Sequence, residues 1–543
     1  MPCCCHMTRR QLLQWAGLVA ATPILSALDD TARAYGMTRA ASAGPTLALN
    51  LELVTLTETT AILTWFTGDP SQVDSMGRLA PVPADTEVLL GTAQSGLQQA
   101  FFDATPTPYH YVELTNLEPG QTYFYVAQSG GVQATSSANA FGNGVGSSTL
   151  DITSTGPFTF TTPLPPPGSF LFAIALCNDL HFGETVAGLA TSAGGGIPPG
   201  IEQVPGHPPY PEVMGAALGV EARDRGADLL VAAGDITSEG AQVDVGTAKS
   251  FLDAFGSYGE SYLVVRGNHD RPRTGDEAGA CSAVSGHDTY HDCFRDAFFS
   301  TGPTWFSAQA NGLRVIGLDS YDKIGSGGDN GVLSEEQFSF LSNELARDKD
   351  QPTLVLGHHP VTVEATATTI PPVSFDMDPQ QAARLEALYA QSPGVFLHHA
   401  GHTHRNKRTV STTATDVVFQ EVAAVKEYPG GFHLLRVFTG GYALNFYKFR
   451  DALAQEWSER SRQEYGGLAP FYVFGNVADR NSVVERDFSD LRPSDGTGFT
   501  ASPDRVLAET GSSNDSAIVV AGAAAAAAVA AKSWLSSRAG AAP

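Results

Sequence analysis

Ser261-Tyr-Leu-Val-Val-Arg-Gly-Asn-His-Asp270 passes from an apolar, β-type run into a tight polar turn. A buried strand that delivers functional side chains at its end takes this form, and the form recurs on both sides. Phe170-Leu-Phe-Ala-Ile-Ala-Leu runs up to Asp179-Leu-His181, and Asp228-Leu-Leu-Val-Ala-Ala runs up to Gly234-Asp235. Pro352-Thr-Leu-Val-Leu precedes Gly357-His-His-Pro360, and Gly394-Val-Phe-Leu precedes Gly401-His-Thr-His404. In an α/β sheet, residues just past the carboxyl ends of the strands converge on one crevice. These strings bring carboxylate, amide oxygen and imidazole to it, the ligands of hard and borderline metals. Any one string is also a common capped turn; the five in this order carry the reading.

In that order the strings resemble the calcineurin-like metallophosphoesterases, whose signature runs D-x-H, G-D, G-N-H-D/E, a lone His, then G-H-x-H. The match covers residues 169–450, about half the chain, with no ligand position missing. The resemblance implies an α/β catalytic region, a four-layer αββα sandwich, preceded here by a small all-β sandwich. It implies two divalent or trivalent metal ions, iron, manganese or zinc. Asp179, His181, Asp235 and His404 would hold one; the bridging Asp235, with Asn268, His358 and His402, would hold the other. It implies hydrolysis of a small phosphodiester or phosphomonoester by a hydroxide shared between the metals. Two cations roughly 3.5–4 Å apart need a short carboxylate between them and lower the pKa of a shared water. A neutral Asn oxygen binds metal without adding negative charge beside an anionic substrate.

By the same resemblance His269 points toward the substrate and protonates the leaving oxygen or stabilises the transition state. Asp270 would orient it and raise its pKa. His359, Arg271 and Arg405 adjoin the ligand strings and are the candidate substrate contacts. Loops 194–210, 271–291 and 405–407, which also carry Arg273, His287 and His291, are expected to line the crevice. Purple acid phosphatases are the rival branch. Their pattern has Gly in place of His181 and a Tyr ligand where this chain has Ser238, so a purple iron–tyrosinate centre is not expected. A reading from another class is an exported binding protein whose phosphoesterase domain has lost catalysis; no ligand is missing in its favour.

From Thr46 to Thr162 the pattern is all β, with alternating runs such as Leu47-Ala-Leu-Asn-Leu-Glu-Leu-Val and Ala61-Ile-Leu-Thr-Trp-Phe. Leu114-Thr-Asn-Leu-Glu-Pro-Gly-Gln-Thr-Tyr-Phe-Tyr-Val resembles fibronectin type III domains and the small sandwich that precedes purple acid phosphatase catalytic domains. Trp65 is its expected core anchor. Residues 163–168, Pro-Leu-Pro-Pro-Pro-Gly, form a stiff linker. Catalytic residues 169–450 follow, then an extension over 451–543, partly irregular and ending in an Ala-rich tail. Helices are expected over Pro211–Gly226 and Leu333–Leu345, the second opened by a capping box of Ser334 and Gln337.

The 543 residues, 42% of them hydrophobic, have room for two or three packed domains. A net charge of −25 argues against nucleic-acid binding, which draws its affinity from Lys and Arg. It does not exclude a small phosphate ester, because metal ions dominate the local field. Thr8-Arg-Arg-Gln-Leu-Leu13, an apolar stretch from Trp15 to Leu28 and Ala32-Arg-Ala34 read as a twin-arginine export signal over residues 1–34. That signal would place the folded protein in the cell envelope or outside the cell. Cys3, Cys4 and Cys5 would leave with it. Cys177 lies in an apolar run and is expected to pack as a small core residue; Cys281 and Cys293 are either a disulfide or two thiols. The run Ala517–Ala531 is apolar for 15 residues, short of the roughly 20 a membrane helix needs. A C-terminal membrane anchor and a loose tail both stay open there, as does the oligomeric state.

Overall fold

Alternation along one strand sets the architecture. In Phe170–Cys177, Phe172, Ile174 and Leu176 face one side and Ala173, Ala175 and Cys177 the other, the period of two that a pleated strand imposes. The large set packs against Val315, Leu354, Leu356 and Phe396 of a second sheet. The small set leaves room for helices Tyr210–Asp224, Gln242–Phe255 and Ala452–Ser461. On the far side of the second sheet, Ile316, Val355 and Val395 meet Phe338 and Leu341 of helix Glu335–Arg347 and Leu385 of helix Pro379–Ala390. Four layers result, helix, sheet, sheet, helix. The first sheet orders its strands Tyr262–Val264, Leu229–Ala232, Phe170–Cys177, Gly431–Phe438, Gly441–Lys448 and Asn481–Glu485. The second centres on Leu313–Gly317, Thr353–Leu356, Val395–Ala400 and Val418–Glu421, all parallel.

The computed structural model describes residues 46–74, 78–136, 156–188, 200–271, 281, 292–300, 302–321, 329–369, 376–462, 464, 469–494 and 502–503. The export signal and the Ala-rich tail read from the sequence lie outside them. Among the described residues no helix is long and apolar enough to cross a membrane. Two antiparallel sheets, of four and five strands, form the N-terminal sandwich around Trp65, Val112, Tyr125 and Phe160. Trp65 is buried, and its indole N–H donates to Ser129 Oγ at 2.9 Å. Cys177 is buried and unpaired, and Cys281 is bonded to Cys293.

Two sequence expectations need correction. The catalytic fold does not end at Arg450. Helix Ala452–Ser461 fills the first sheet's outer layer with Trp457, which stacks on Tyr210 at 4.1 Å between ring centroids. Asn481–Glu485 then becomes the sixth strand of that sheet. A helix over 451–464 is legible in the sequence, but its few apolar residues and a five-residue edge strand carry nothing that says which sheet they join. The capping box at Ser334 is only half of the expected pair. Ser334 Oγ accepts from Gln337 N at 3.3 Å, but the Gln337 amide pairs with the backbone N and O of Asp319.

Candidate metal centre

All five polar strings lie past the carboxyl ends of parallel strands, and the two sheets share them. Strands of the first sheet deliver Asp179, His181, Asp235 and Asn268; strands of the second deliver His358, His402 and His404. The delivery is strained. Asp179, His181, Asp235, His402 and His404 have φ of 52, 48, 50, 68 and 54°, in the left-handed region that non-glycine residues avoid. Such strain persists only where surrounding bonds over-determine it. Here Asp179 N donates to Gly234 O, His181 N to Asp235 O and Lys426 N to Asp179 O. Gly267 makes the close approach possible, since a Cβ there would lie 2.2 Å from Asp235 Oδ1.

The ligand atoms fall into two groups, Asp179–His181–His404 and Asp235–His358–His402, each set within 4.8 Å, and His269 makes a third such set with His181 and Asp235. Asp235 Oδ2 lies between the first two, 3.5 Å from His181 Nε2 and 3.1 Å from His358 Nε2. That is the position a bridging carboxylate occupies. Asn268 Oδ1 joins the second group, 3.1 Å from His358 Nε2. Asp179 Oδ1 faces His404 Nε2 at 3.3 Å and His181 Nε2 at 3.8 Å. Both Asp179 Oδ1 and His181 Nε2 are buried without a hydrogen-bond partner. Buried polar atoms are nearly always satisfied, and cations satisfy this set; the residues therefore fit two metal ions.

Burial opposes every charge here, yet Asp179 is held well below the carboxylate range by His404, His181 and His358, and Asp235 by His358, His269 and His181. His358 and His404 are pushed up to about 9 against their burial, chiefly by Asp235 and Asp179 respectively. His402 goes the other way, driven down by burial and by His359 and His358.

The remaining candidates separate. His269 sits at the centre, its ring 4.6 Å from that of His181 and its backbone N donating to Asp235 Oδ1 at 2.8 Å. Its Nδ1 meets the Ser238 carbonyl at 2.6 Å. Asp270 does not orient it. The Asp270 carboxylate accepts from Ile236 N, Thr237 N, Thr237 Oγ1 and Gly267 N, which ties together the two turns carrying Asp235 and Asn268. Burial also lowers the His269 pKa instead of raising it. Arg271 Nη1 donates to Asn268 O at 3.1 Å and lies 3.7 Å from Asp329.

Arg405 is a second correction. It is 2% exposed, chelates Glu421 and donates to the carbonyls of Thr368 and Ala365, so it is spent on bracing the short helix Val363–Thr368 and is not open to a substrate anion. His359 is fully buried, held by Ser320 Oγ and Asp329 O, with its ring 4.5 Å from His402. Both of its ring nitrogens are thus taken by the scaffold. Arg273, His287 and His291 lie outside the described residues. Sequence reasoning missed Glu184, Lys426 and Glu427, which surround His181 and His404. Only Glu184, three residues after His181, had a local signal.

Residues 172–406 match Calcineurin-like phosphoesterase, a span that runs from the first sheet's central strand through the last ligand string. The chain carries a calcineurin-like phosphoesterase domain. Residues 47–142 match the N-terminal domain of purple acid phosphatases, so the phosphoesterase domain follows the sandwich that the sequence resembled. The ligand set described above lies within the phosphoesterase domain and fits two metal ions. Among solved structures it is similar to a purple acid phosphatase from yellow lupin (Lupinus luteus) seeds, at 15% identity over 82% of this chain and 76% of that one, TM-score 0.38. It is also similar to a dimetal phosphatase from Danio rerio (15% identity, 51% and 96% coverage, TM-score 0.37) and to PhoD (11%, 73% and 85%, TM-score 0.34). No curated protein matches the chain.

Proposed function

We propose that this phosphoesterase hydrolyses small phosphate mono- or diesters at the Asp235-centred site, after export in folded form. The observation that carries the reading is the convergence of Asp179, His181, Asp235, His358, His402 and His404 from four strand ends, with Asp179 Oδ1 and both His181 ring nitrogens buried without a hydrogen bond. When bound, the two ions supply Lewis acidity at the phosphoryl oxygens and a water of near-neutral pKa. Asp235 keeps the two ligand groups at one separation. Asn268 contributes a neutral oxygen, which leaves the crevice less repulsive to an anionic ester. His269, with Nδ1 fixed on the Ser238 carbonyl, has Nε2 left to take up a proton and, as the imidazolium, deliver it to the departing oxygen. Residue 238 meets this centre through its backbone carbonyl and carries no phenol, so iron-loaded protein should lack a strong visible tyrosinate band.

Elemental analysis should return close to two ions per chain; one or fewer in folded protein would end the two-metal reading. A panel of chromogenic mono- and diesters, assayed with manganese, names the substrate class. Purple colour in iron-loaded protein would return it to the purple branch. The twin-arginine sequence and the Cys281–Cys293 disulfide support an oxidising compartment. Arg9→Lys with Arg10→Lys should trap the protein in the cytoplasm, and unchanged fractionation would reject that route.

A further inference from the structure

The two ends of the centre rest on different supports. At one end, both ligand imidazoles turn their outer nitrogens to carboxylates. His404 Nδ1 meets Glu427 Oε1 at 2.6 Å, and His181 Nδ1 lies 2.8 Å from Glu184 Oε2, bent from a straight hydrogen bond. One buried lysine joins those carboxylates. Lys426 Nζ lies 2.7 Å from both Glu184 oxygens and 3.4 Å from Glu427 Oε2. Tyr210 OH donates to Glu184 Oε1 at 2.6 Å, and Trp457 Nε1 donates to the Lys426 carbonyl at 2.6 Å, which anchors the group on two helices. At the other end, His358 Nδ1 meets only the neutral carbonyl of Ala233, at 2.7 Å.

An imidazole whose N–H faces a carboxylate is fixed in one tautomer and is the more basic ligand through its other nitrogen. Carboxylates packed side by side need a cation to stay in place, and Lys426 is that cation for Glu184 and Glu427, with the buried Glu464 beside Glu427. We propose that Glu184 and Glu427, yoked by Lys426, are positioning residues for one metal ion only. They present Nε2 of His181 and His404 to the ion shared with Asp179 and strengthen both imidazoles as ligands. The inference rests on the two-metal reading.

The test uses metal binding instead of turnover. Metal-free full-length protein is titrated with Zn²⁺ against a chromophoric chelator, in wild type, Glu184→Gln and Glu427→Gln. His404→Ala and His358→Ala mark which binding step belongs to which end. Each Gln variant should weaken the step lost in His404→Ala by about 10–100-fold and leave the step lost in His358→Ala within about threefold. Steps that coincide in wild type should separate in the variants. A purely structural role would weaken both steps together, and that result, or no change in either, overturns the proposal. Fewer than two ions in wild type would instead reject the two-metal reading. Lys426→Met should weaken the same step; tighter binding there would remove the lysine from the yoke. If Glu427→Gln does not fold, Glu184→Gln decides alone, since its carboxylate is the less buried of the pair.

Discussion

His269 is held at both ends, its backbone N on Asp235 and its ring Nδ1 on Ser238 O, so only Nε2 is left for chemistry. His269→Ala should lower kcat by roughly 10²–10⁴-fold while metal content stays at two, with the largest loss on esters of poor leaving groups. An equal loss on good and poor leaving groups would show that the residue does not protonate the leaving oxygen. The residue was legible because it falls inside a string whose neighbour is a ligand. The role of Asp270 was not, since proximity along the chain pointed at His269 while the carboxylate turned back onto Gly267 and Thr237. Its pKa is pushed up to about 6 by burial and by Asp235, and four donors pin it.

At the scale of elements, helix Ala452–Ser461 decides where the catalytic region ends. Trp457 is fully buried, stacked on Tyr210 and bonded to the Lys426 carbonyl. Trp457→Ala should destabilise by about 3–5 kcal/mol, because a large buried aromatic leaves a cavity that its neighbours fill only in part. Urea denaturation reads the loss; a change below about 1 kcal/mol would mean that the helix is peripheral after all. The short link Cys281–Cys293 is a second element-level device. The pair closes a loop of 12 residues' separation, for which chain entropy alone predicts about 3 kcal/mol. Cys281→Ser should lower stability by that order, and dithiothreitol should do the same to wild type while sparing the variant.

At the scale of the whole molecule, the sandwich is locked to the catalytic fold through charge. Glu52 of the first strand is buried among Arg462, Lys448 at 3.2 Å and Tyr428 OH at 2.5 Å. Those partners hold its pKa down to about 2 against burial. Tyr428 follows Glu427, so the sandwich also braces the loop behind His404. Glu52→Ala removes the carboxylate that two buried cations share and should cost about 3–5 kcal/mol, read as a lower urea midpoint. Acid should weaken the molecule further. Burial drives His110 and His398 down to about 3, His399 to about 4 against the opposing pull of its Cys177 and Gln420 bonds, and His433 well below its usual value. Unfolded histidines titrate near 6.5, so below that pH the unfolded chain binds more protons than the folded one and stability falls. Glu52 adds its own loss as pH drops from about 4.5 toward 2. The urea midpoint of metal-loaded protein, in which His358 and His404 are ligands, should be level above pH 7 and decline steadily from 6.5 to 5. A midpoint that rises over that interval would contradict the buried neutral histidines.

The strand-and-turn order, and through the resemblance it carries the fold class and the ligand-type residues, was legible in the chain because each string is a local pattern. Apolar runs such as Phe170–Leu176 and Pro352–Leu356, short and bounded by turn residues, read as buried strands, and the polar turn that ends each run then emerges at a sheet's carboxyl edge. Tertiary structure alone decided which charges serve the centre and which serve the scaffold. Arg405, beside a ligand, is taken by Glu421 sixteen positions away, while Lys426 and Glu184, 242 positions apart, form the pair behind His181. It also decided that residues past Arg450 complete the first sheet. A buried charge must find a counter-charge wherever the chain folds back to offer one, and no spacing in the sequence records that meeting.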